Sequence, residues 1–430
     1  MLKRLSFILV LAFIWSCSGE PSCGDPNAYR NASIELEFQD LTHAFHEVKS
    51  EEELGTLLAQ NPIIRDQFFE YGDRPTLASL HNEIFKLVQT PRVKNLFTSR
   101  SFAAFDKALE TNREMREFLS FDYLTINKGK NLEDIYNLFK KSEIEKIDSP
   151  NAIGEYLSKN AVERNYFHSL FAYRTEEQLL SDNFKLLSNP YVDTLYQQTL
   201  SLMNAGRIAF DLDQGFKRLK EEYPDFNTPV VQAVYSGFGK DIVLSDSLIV
   251  LGLDYYLGEQ ATYRPNVYDY IKVRLTPEHL VPQVFQFLSL KFNETKQGRR
   301  NVLDEMIYYG KAMEFTKEML PCVEDSLIIG YGQQDFANAT VSEAIIWSYF
   351  LENRLLYEEN TKAITRYVDE RPSIPEIGKN CPGRIGQWLG WQIVKAYREE
   401  TGASLKDLMA ETDTQKILTQ SKYRPRYPQP

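Results

Sequence analysis

The chain has 430 residues, of which 43% are hydrophobic and 25% charged, and it carries a net charge of −11. These proportions belong to a folded globular chain with room for two or more domains. The acidic balance argues against nucleic acid and against an anionic lipid surface held through a basic patch.

At the N-terminus Lys3 and Arg4 precede an apolar run from Leu5 to Trp15, broken only by Ser6. The run falls short of the roughly 20 apolar residues that a spanning helix needs, so residues 1–16 read as an export leader. Ile14-Trp15-Ser16-Cys17 reads as a lipobox, which makes Cys17 the lipidated residue and the start of the mature chain. Several acyl chains on one cysteine anchor a protein firmly, at about 0.8 kcal/mol per buried CH₂. Loss of Lys3 and Arg4 with the leader takes the net charge from −11 to −13. Residues 17–33 form a polar tether that contains Cys23. No later apolar run approaches bilayer length, so lipid is the expected membrane attachment.

Folded sequence begins near residue 34. Glu35-Leu-Glu-Phe-Gln alternates polar with apolar residues and reads as a short strand. His43 and His46 follow at a spacing of three, but no cysteine or third histidine nearby completes a metal site, so they read as ordinary surface or core histidines. An internal repeat then organises the chain. Gly55, Leu58, Asn61, Arg65 and Phe68 recur 99 positions later as Gly154, Leu157, Asn160, Arg164 and Phe167. Phe85-Lys86-Leu87 recurs as Phe184-Lys185-Leu186, and Pro91, Val93 and Leu96 recur as Pro190, Val192 and Leu195. Leu54, Leu57, Leu58 and Ile64 stand at helical spacing, so residues 34–225 are predicted to hold two related helical units. They serve either as a docking platform or as a duplicated support.

From about residue 226 the punctuation changes. Val230–Tyr235 reads as a strand, and Ile242–Leu244 with Leu248–Leu253 as a hairpin turned at Ser245-Asp246-Ser247. Helices are predicted at 279–290, 299–320, 340–356, 382–400 and 404–410. Gly383, Gly386 and Gly390 fall on one face of the fourth of these, with Pro382 in its first turn. Each helical glycine costs on the order of 1 kcal/mol against alanine, which close contact with another helix would offset better than a ligand would. Trp388 and Trp391 point to different faces, leaving at least one for a groove or for the N-terminal domain. Cys322 and Cys381 each adjoin a proline. An oxidising envelope permits a bridge between them, and the sequence gives no Cα separation to decide it. Asp254, beside Tyr255 and Tyr256, is expected to cap a loop. The chain has no phosphate loop and no GxSxG elbow. Tyrosine (25) and phenylalanine (26) are abundant, which dense helical packing accounts for.

The ordered set Leu253-Asp-Tyr-Tyr-Leu-Gly258, Met306-Ile-Tyr-Tyr-Gly310-Lys311, Ser342-Glu343 with Trp347, Pro382-Gly383-Arg-Ile-Gly386-Gln-Trp388-Leu-Gly390, and Ser421-Lys-Tyr423-Arg-Pro425 resembles the GldB-type gliding-motility lipoprotein family of the Bacteroidetes. The resemblance covers roughly residues 226–425 together with the leader and lipobox. This chain is longer than that pattern, with the duplicated unit as the excess. The family is distantly similar to zinc peptidases of the HExxH type. Met306, Ile307 and Gly310 stand where the first His, the Glu and the second His would be, and Glu343 where a third ligand would be. One carboxylate does not hold catalytic zinc.

The resemblance therefore implies a mainly α fold with a small β element (α+β). Duplicated helical units are followed, over 226–430, by a degenerate zincin-like helical domain with no metal, cofactor or catalytic residue. Gly310, Glu343, Trp347, Gly383, Gly386, Trp388 and Gly390 are its candidate structural or binding positions. The expected role is a non-enzymatic envelope lipoprotein that binds or scaffolds proteins of gliding or the associated secretion machinery. The alternative is an envelope lipoprotein that binds a small molecule or glycan, and the third reading is a metallopeptidase-like hydrolase. Cys17→Ala is expected to abolish acyl labelling and release the chain from membranes on fractionation; retention in the membrane fraction would refute lipid anchoring.

Overall fold

The structure, a computed structural model, describes residues 34–69, 71–72, 75–89, 101, 103–104, 107, 147–161, 164–165, 168, 173–295 and 301–425. The leader, Cys17, Cys23 and the tether lie outside the described residues, as do Pro91, Val93 and Leu96 of the first repeat copy. The chain is mostly helical, with one small four-stranded sheet. It divides into two compact units: Phe45–Val192, and Met1–Ala44 together with Asp193–Pro430. The division thus falls at 192/193, whereas the sequence reading places it at 225/226.

The Phe45–Val192 unit carries the repeat. Its helices α2 (Glu51–Gln60) and α3 (Leu77–Gln89) recur as α4 (Pro150–Lys159) and α5 (Glu176–Leu187), with starts displaced by 99; a short helix α1 (Thr42–His46) precedes them. The local chemistry repeats too. Ser50 and Ser149 each cap a helix by accepting from the amide three residues on, the usual way to satisfy an orphan N–H. Asn61 and Asn160 each return a side-chain amide bond, to the carbonyls of Leu57 and Tyr156. Leu54 and Leu58 are buried, as are Ile153 and Leu157. Packing crosses between copies: α2 lies on α5, and α3 on α4. Gly55 faces Leu180, and Gly154 faces His81. Each copy supplies the partner for the other's first helix.

The other unit opens with β1 (Phe38–Asp40), which overlaps the end of the segment predicted as a strand over 35–39 and runs one residue beyond it. Helix α6 (Pro190–Leu202), whose first turn still belongs to the repeat, and α7 (Ala205–Glu222) follow. Then come β2 (Val230–Val234), β3 (Ile242–Leu244) and β4 (Leu248–Gly252), with β3 and β4 forming the predicted hairpin. The sheet order is β1-β2-β4-β3, with β1 and β4 both parallel to β2. A turn of 3₁₀ helix over Leu253–Tyr256 leaves the sheet. Buried Asp254 there accepts from the backbone N–H groups of Ser236 and Phe238 at 2.8 and 2.7 Å, which is the capping role expected of it.

The remaining helices are α8 (Asp269–Lys272), α9 (Pro277–Ser289), α10 (Val302–Met319), α11 (Asp325–Ile329), α12 (Gln333–Val341), α13 (Glu343–Glu352), α14 (Thr361–Val368), α15 (Ile385–Thr401), α16 (Leu405–Ala410) and α17 (Thr414–Ser421). The segment predicted as one helix over 340–356 is broken at Ser342, whose φ of −93° and ψ of 7° leave the helical range, and again at Arg354, which sits at φ 54°. Helices α8, α11, α14 and α17, and all but the end of α12, are absent from the sequence reading; none is longer than nine residues, too short to show a period.

Helix α10 is the centre of the core. Buried residues surround it, and α7, α9, α11, α14, α15, α16 and α17 pack on it. The polar groups it buries are all engaged. Lys311 donates to Thr295 Oγ1 at 2.7 Å and to the carbonyls of Met409 and Glu411. Glu314 accepts from Trp391 Nε1 at 3.0 Å and from Arg398 at 2.8 Å. Against α10 lies α15, the largest helix contact in the unit. A methyl on Gly390 would stand 1.9 Å from the Met306 carbonyl oxygen, and one on Gly310 would stand 2.5 Å from the Gly390 carbonyl carbon. The two glycines let the helix backbones touch. A methyl on Gly386 would stand 2.9 Å from the Tyr367 carbonyl oxygen.

Three readings of this region are corrected. Gly383 lies outside the helix, and its absent side chain makes room for the Arg371 carbonyl at 1.9 Å. Pro382 is not in the first turn; it bridges to Ser373, and α15 begins after Arg384, which sits at φ 54°. Neither Trp388 nor Trp391 is available to a groove, since both are buried. Cys322 is exposed and Cys381 buried, and no disulfide joins them; burial pushes the Cys381 thiol up to about 12.

Gly390→Ala gains about 1 kcal/mol of helix propensity but drives a methyl into fixed backbone. A net loss of about 2 kcal/mol or more is expected in denaturant titrations followed by fluorescence of Trp347, Trp388 and Trp391. Gly378→Ala, where an added methyl meets nothing within 4 Å, should stay within about 0.5 kcal/mol of the parent.

Candidate ligand cleft

Helix α9 presents His279, Gln283, Gln286 and Phe287 on one face, at i, i+4, i+7 and i+8. They form one wall of a cleft of about 300 Å³. Opposite lie Tyr309 of α10, the end of α11 through Gly330, and Arg384 and Gln387 at the start of α15. Asp369 and Glu370, just after α14, and Arg274, just before α9, complete the lining.

Arg384 is held by its surroundings in the left-handed region, which non-glycine residues rarely adopt. Its Nη2 donates to the Gly330 carbonyl at 3.0 Å, and its guanidinium lies over the Tyr331 ring at 5.5 Å. The Tyr331 hydroxyl donates to the Gly383 carbonyl at 2.6 Å, which fixes the residue beside it. Gly383 closes on Arg371 with no room for a side chain. The glycines of the motif thus aim its arginine. Glu370 stands between two guanidiniums, 2.5 Å from Arg274 Nη1 and 3.5 Å from Arg384 Nε.

His279 is 6% exposed. Its Nδ1 lies 2.8 Å from Thr276 Oγ1, whose proton goes to Glu278 at 2.6 Å, and its Nε2 is buried without a hydrogen-bond partner. Burial holds the imidazole down to about 4, against a weak opposing pull from Glu278. The neutral ring therefore persists through the physiological range. Gln283 accepts from the Tyr256 hydroxyl at 2.8 Å, Gln286 donates to the Ile328 carbonyl, and Gln387 donates to the Val368 carbonyl at 2.8 Å. The polar side chains are anchored on the scaffold before any ligand arrives.

The candidate positions named from sequence divide between scaffold and cleft. Gly310, Gly386 and Gly390 join helices, and Trp388 fills the core. Glu343 accepts from the Tyr423 hydroxyl at 2.6 Å, and Trp347 meets the Tyr423 ring edge-on at 5.2 Å, so these two hold the C-terminal Ser421–Pro425 segment rather than a ligand. At the HExxH-equivalent positions Met306 and Ile307 are core side chains and Gly310 is a helix crossing. His43 bonds the Tyr196 hydroxyl at 3.0 Å, as an ordinary histidine does. Among the described residues no group of three or more His, Cys, Asp or Glu stands close enough to hold a metal ion, and no helix is long and apolar enough to cross a membrane. Sequence reasoning missed Arg274, His279, Glu370 and Arg384 as a group. Arg384 stood in plain view between Gly383 and Gly386, but nothing in the sequence pattern joins it to Arg274 or Glu370.

Fold and cleft define a mainly helical protein with a small mixed sheet and a preformed pocket of balanced charge. The chain belongs to the family described as gliding motility protein GldB, whose model matches residues 126–425. That match begins at residue 126, ahead of the second repeat copy and earlier than the resemblance suggested, and leaves the first copy, near residues 51–89, outside. No curated protein and no solved structure matches the chain, and the likeness to zinc peptidases has no match behind it.

The depressed histidine makes a pH prediction. An unfolded His279 takes up a proton near 6.5, while the folded one stays neutral to about 4. Between these values the unfolded state binds more protons, so stability falls as pH drops through this window. Asp254, pushed up to about 6 by burial, acts with the opposite sign, so the readout is a difference. Relative to His279→Gln, the parent should lose up to about 3 kcal/mol between pH 6.5 and 4. Parallel stability curves for the two would refute the buried neutral imidazole.

Proposed function

We propose that this protein acts by binding, as an envelope lipoprotein that holds other proteins of the gliding or associated secretion machinery. Family membership supports a gliding-motility setting. The observation that carries the reading is where the family-like segments meet. Met306–Lys311 and Pro382–Gly390 lock together through glycines, and three of their side chains, Tyr309, Arg384 and Gln387, line the cleft. A rigid scaffold that presents anchored donors and acceptors is suited to recognition. Lipid on Cys17 would keep this surface at the membrane. The second reading, a small molecule or glycan as the ligand, draws on the cleft's volume of about 300 Å³, at the low end of ligand pockets.

Quantitative mass spectrometry of proteins crosslinked to the tagged chain in its native membrane tests the proposal, with Cys17→Ala as control. Gliding or secretion proteins enriched with the parent and lost with Cys17→Ala are the expected outcome. An empty list from a properly lipidated chain would overturn the protein-partner reading and favour the small ligand.

A further inference from the structure

The cleft contains a chain of hydrogen bonds whose direction is fixed by proton counting. A carboxylate offers only lone pairs, so the contact between Thr276 Oγ1 and Glu278 Oε2 at 2.6 Å uses the single hydroxyl proton of Thr276. The 2.8 Å contact between Thr276 Oγ1 and His279 Nδ1 must then be donated by the imidazole. The proton of the neutral ring is on Nδ1, and Nε2 carries a bare lone pair. That atom is buried, unpartnered and on the cleft wall. A buried acceptor left without a donor costs about 1–3 kcal/mol, so the site is built to receive an N–H or O–H.

Across the cleft the surplus is of the opposite kind. A guanidinium has five N–H donors. Arg274 makes its ion pair to Glu370 through Nη1, and Arg384 gives Nη2 to the Gly330 carbonyl, with Glu370 3.5 Å from its Nε. These contacts use fewer than the five donors of either guanidinium, and both residues line the cleft, where a planar two-oxygen acceptor suits them best. Phe287 and the Leu327–Ile329 stretch add an apolar wall. Two positive groups, Arg274 and Arg384, face two acidic ones, Asp369 and Glu370, so selection falls on hydrogen-bond pattern more than on net charge.

We propose that this cleft binds a peptide carboxylate, with its oxygens on Arg274 and Arg384, a neighbouring backbone N–H on His279 Nε2, and an apolar side chain against Phe287. This rests on the binding function proposed above and specifies its ligand. A C-terminal carboxylate beside its own amide N–H and an aspartate side chain beside its backbone N–H present the same chemistry.

Calorimetric titration of the detergent-solubilised full chain separates these sources. The probes are N-acetyl-Ala-Leu with a free carboxylate, its C-terminal amide, and N-acetyl-Ala-Asp-amide. Binding of the first and not the third assigns a chain terminus, and the reverse assigns an acidic side chain; both support the inference. The C-terminal amide of the first peptide should bind at least about tenfold more weakly, and Arg274→Gln and His279→Leu should each weaken the acid peptide about tenfold. In case a variant fails to fold, the ¹⁵N signal of His279 Nε2 in the parent should start as an unprotonated nitrogen and shift when the acid peptide is added. Equal binding of acid and amide, no binding of any peptide, or an unmoved Nε2 signal would overturn the inference. So would binding of galacturonate in place of the peptides. If the peptides fail while the crosslinked partners persist, the ligand assignment alone is wrong; if the partner list is also empty, the binding function falls with it.

Discussion

Everything in the larger unit hangs on one contact, the crossing of α10 and α15 at Gly310 and Gly390. With the Gly390 α-carbon against the Met306 carbonyl, no side chain fits between the helices. Interiors are packed nearly as densely as organic crystals, so a crossing this close sets the positions of whatever else packs on either helix. Helix α10 is buried along most of its length, and seven other helices use it as a common surface. Shifting α15 by the width of a methyl would move Trp388, Trp391 and the Arg384 turn together.

The polar groups of that core follow from the same closeness. Lys311 lies one residue after Gly310 and is fully buried, and its three donors meet a threonine hydroxyl and two carbonyls near α16. Burial pushes it down to about 8, against the attraction of Glu411 and Glu294. Glu314, one turn further on, ties Trp391 and Arg398 of α15 to α10. These bonds fix rotation and register where apolar packing alone would allow sliding. The C-terminal segment is secured in a comparable way, with Tyr423 bonded to Glu343 and its ring against Trp347.

The scaffold and the cleft are therefore one construction. The backbone closeness that Gly383 permits at Arg371 sets the left-handed turn at Arg384, and that turn delivers a guanidinium to the ring of Tyr331 and the carboxylate of Glu370. On the far wall, the first turn of α9 fixes a histidine tautomer through Thr276 and Glu278. In both cases short-range geometry orients a polar atom toward a space that the helices leave unfilled.

The sequence by itself determined the helical class, the hairpin, the repeat and the helix-to-helix use of Gly386 and Gly390. Each depends on local periodicity, turn residues or self-similarity, which are properties of contiguous residues. It also placed Asp254 as a cap, because a carboxylate at the exit of a strand has backbone amides within reach. Tertiary structure alone decided that the repeat copies exchange helix partners, that Gly383 and Pro382 precede α15 instead of opening it, and that both tryptophans are buried. It alone brought Arg274, His279, Glu370 and Arg384 to one cleft across more than one hundred residues of chain. The reason is physical. A helix announces its apolar face through spacing, but which distant polar residues meet is set by how those faces dock, and no local pattern encodes a docking angle.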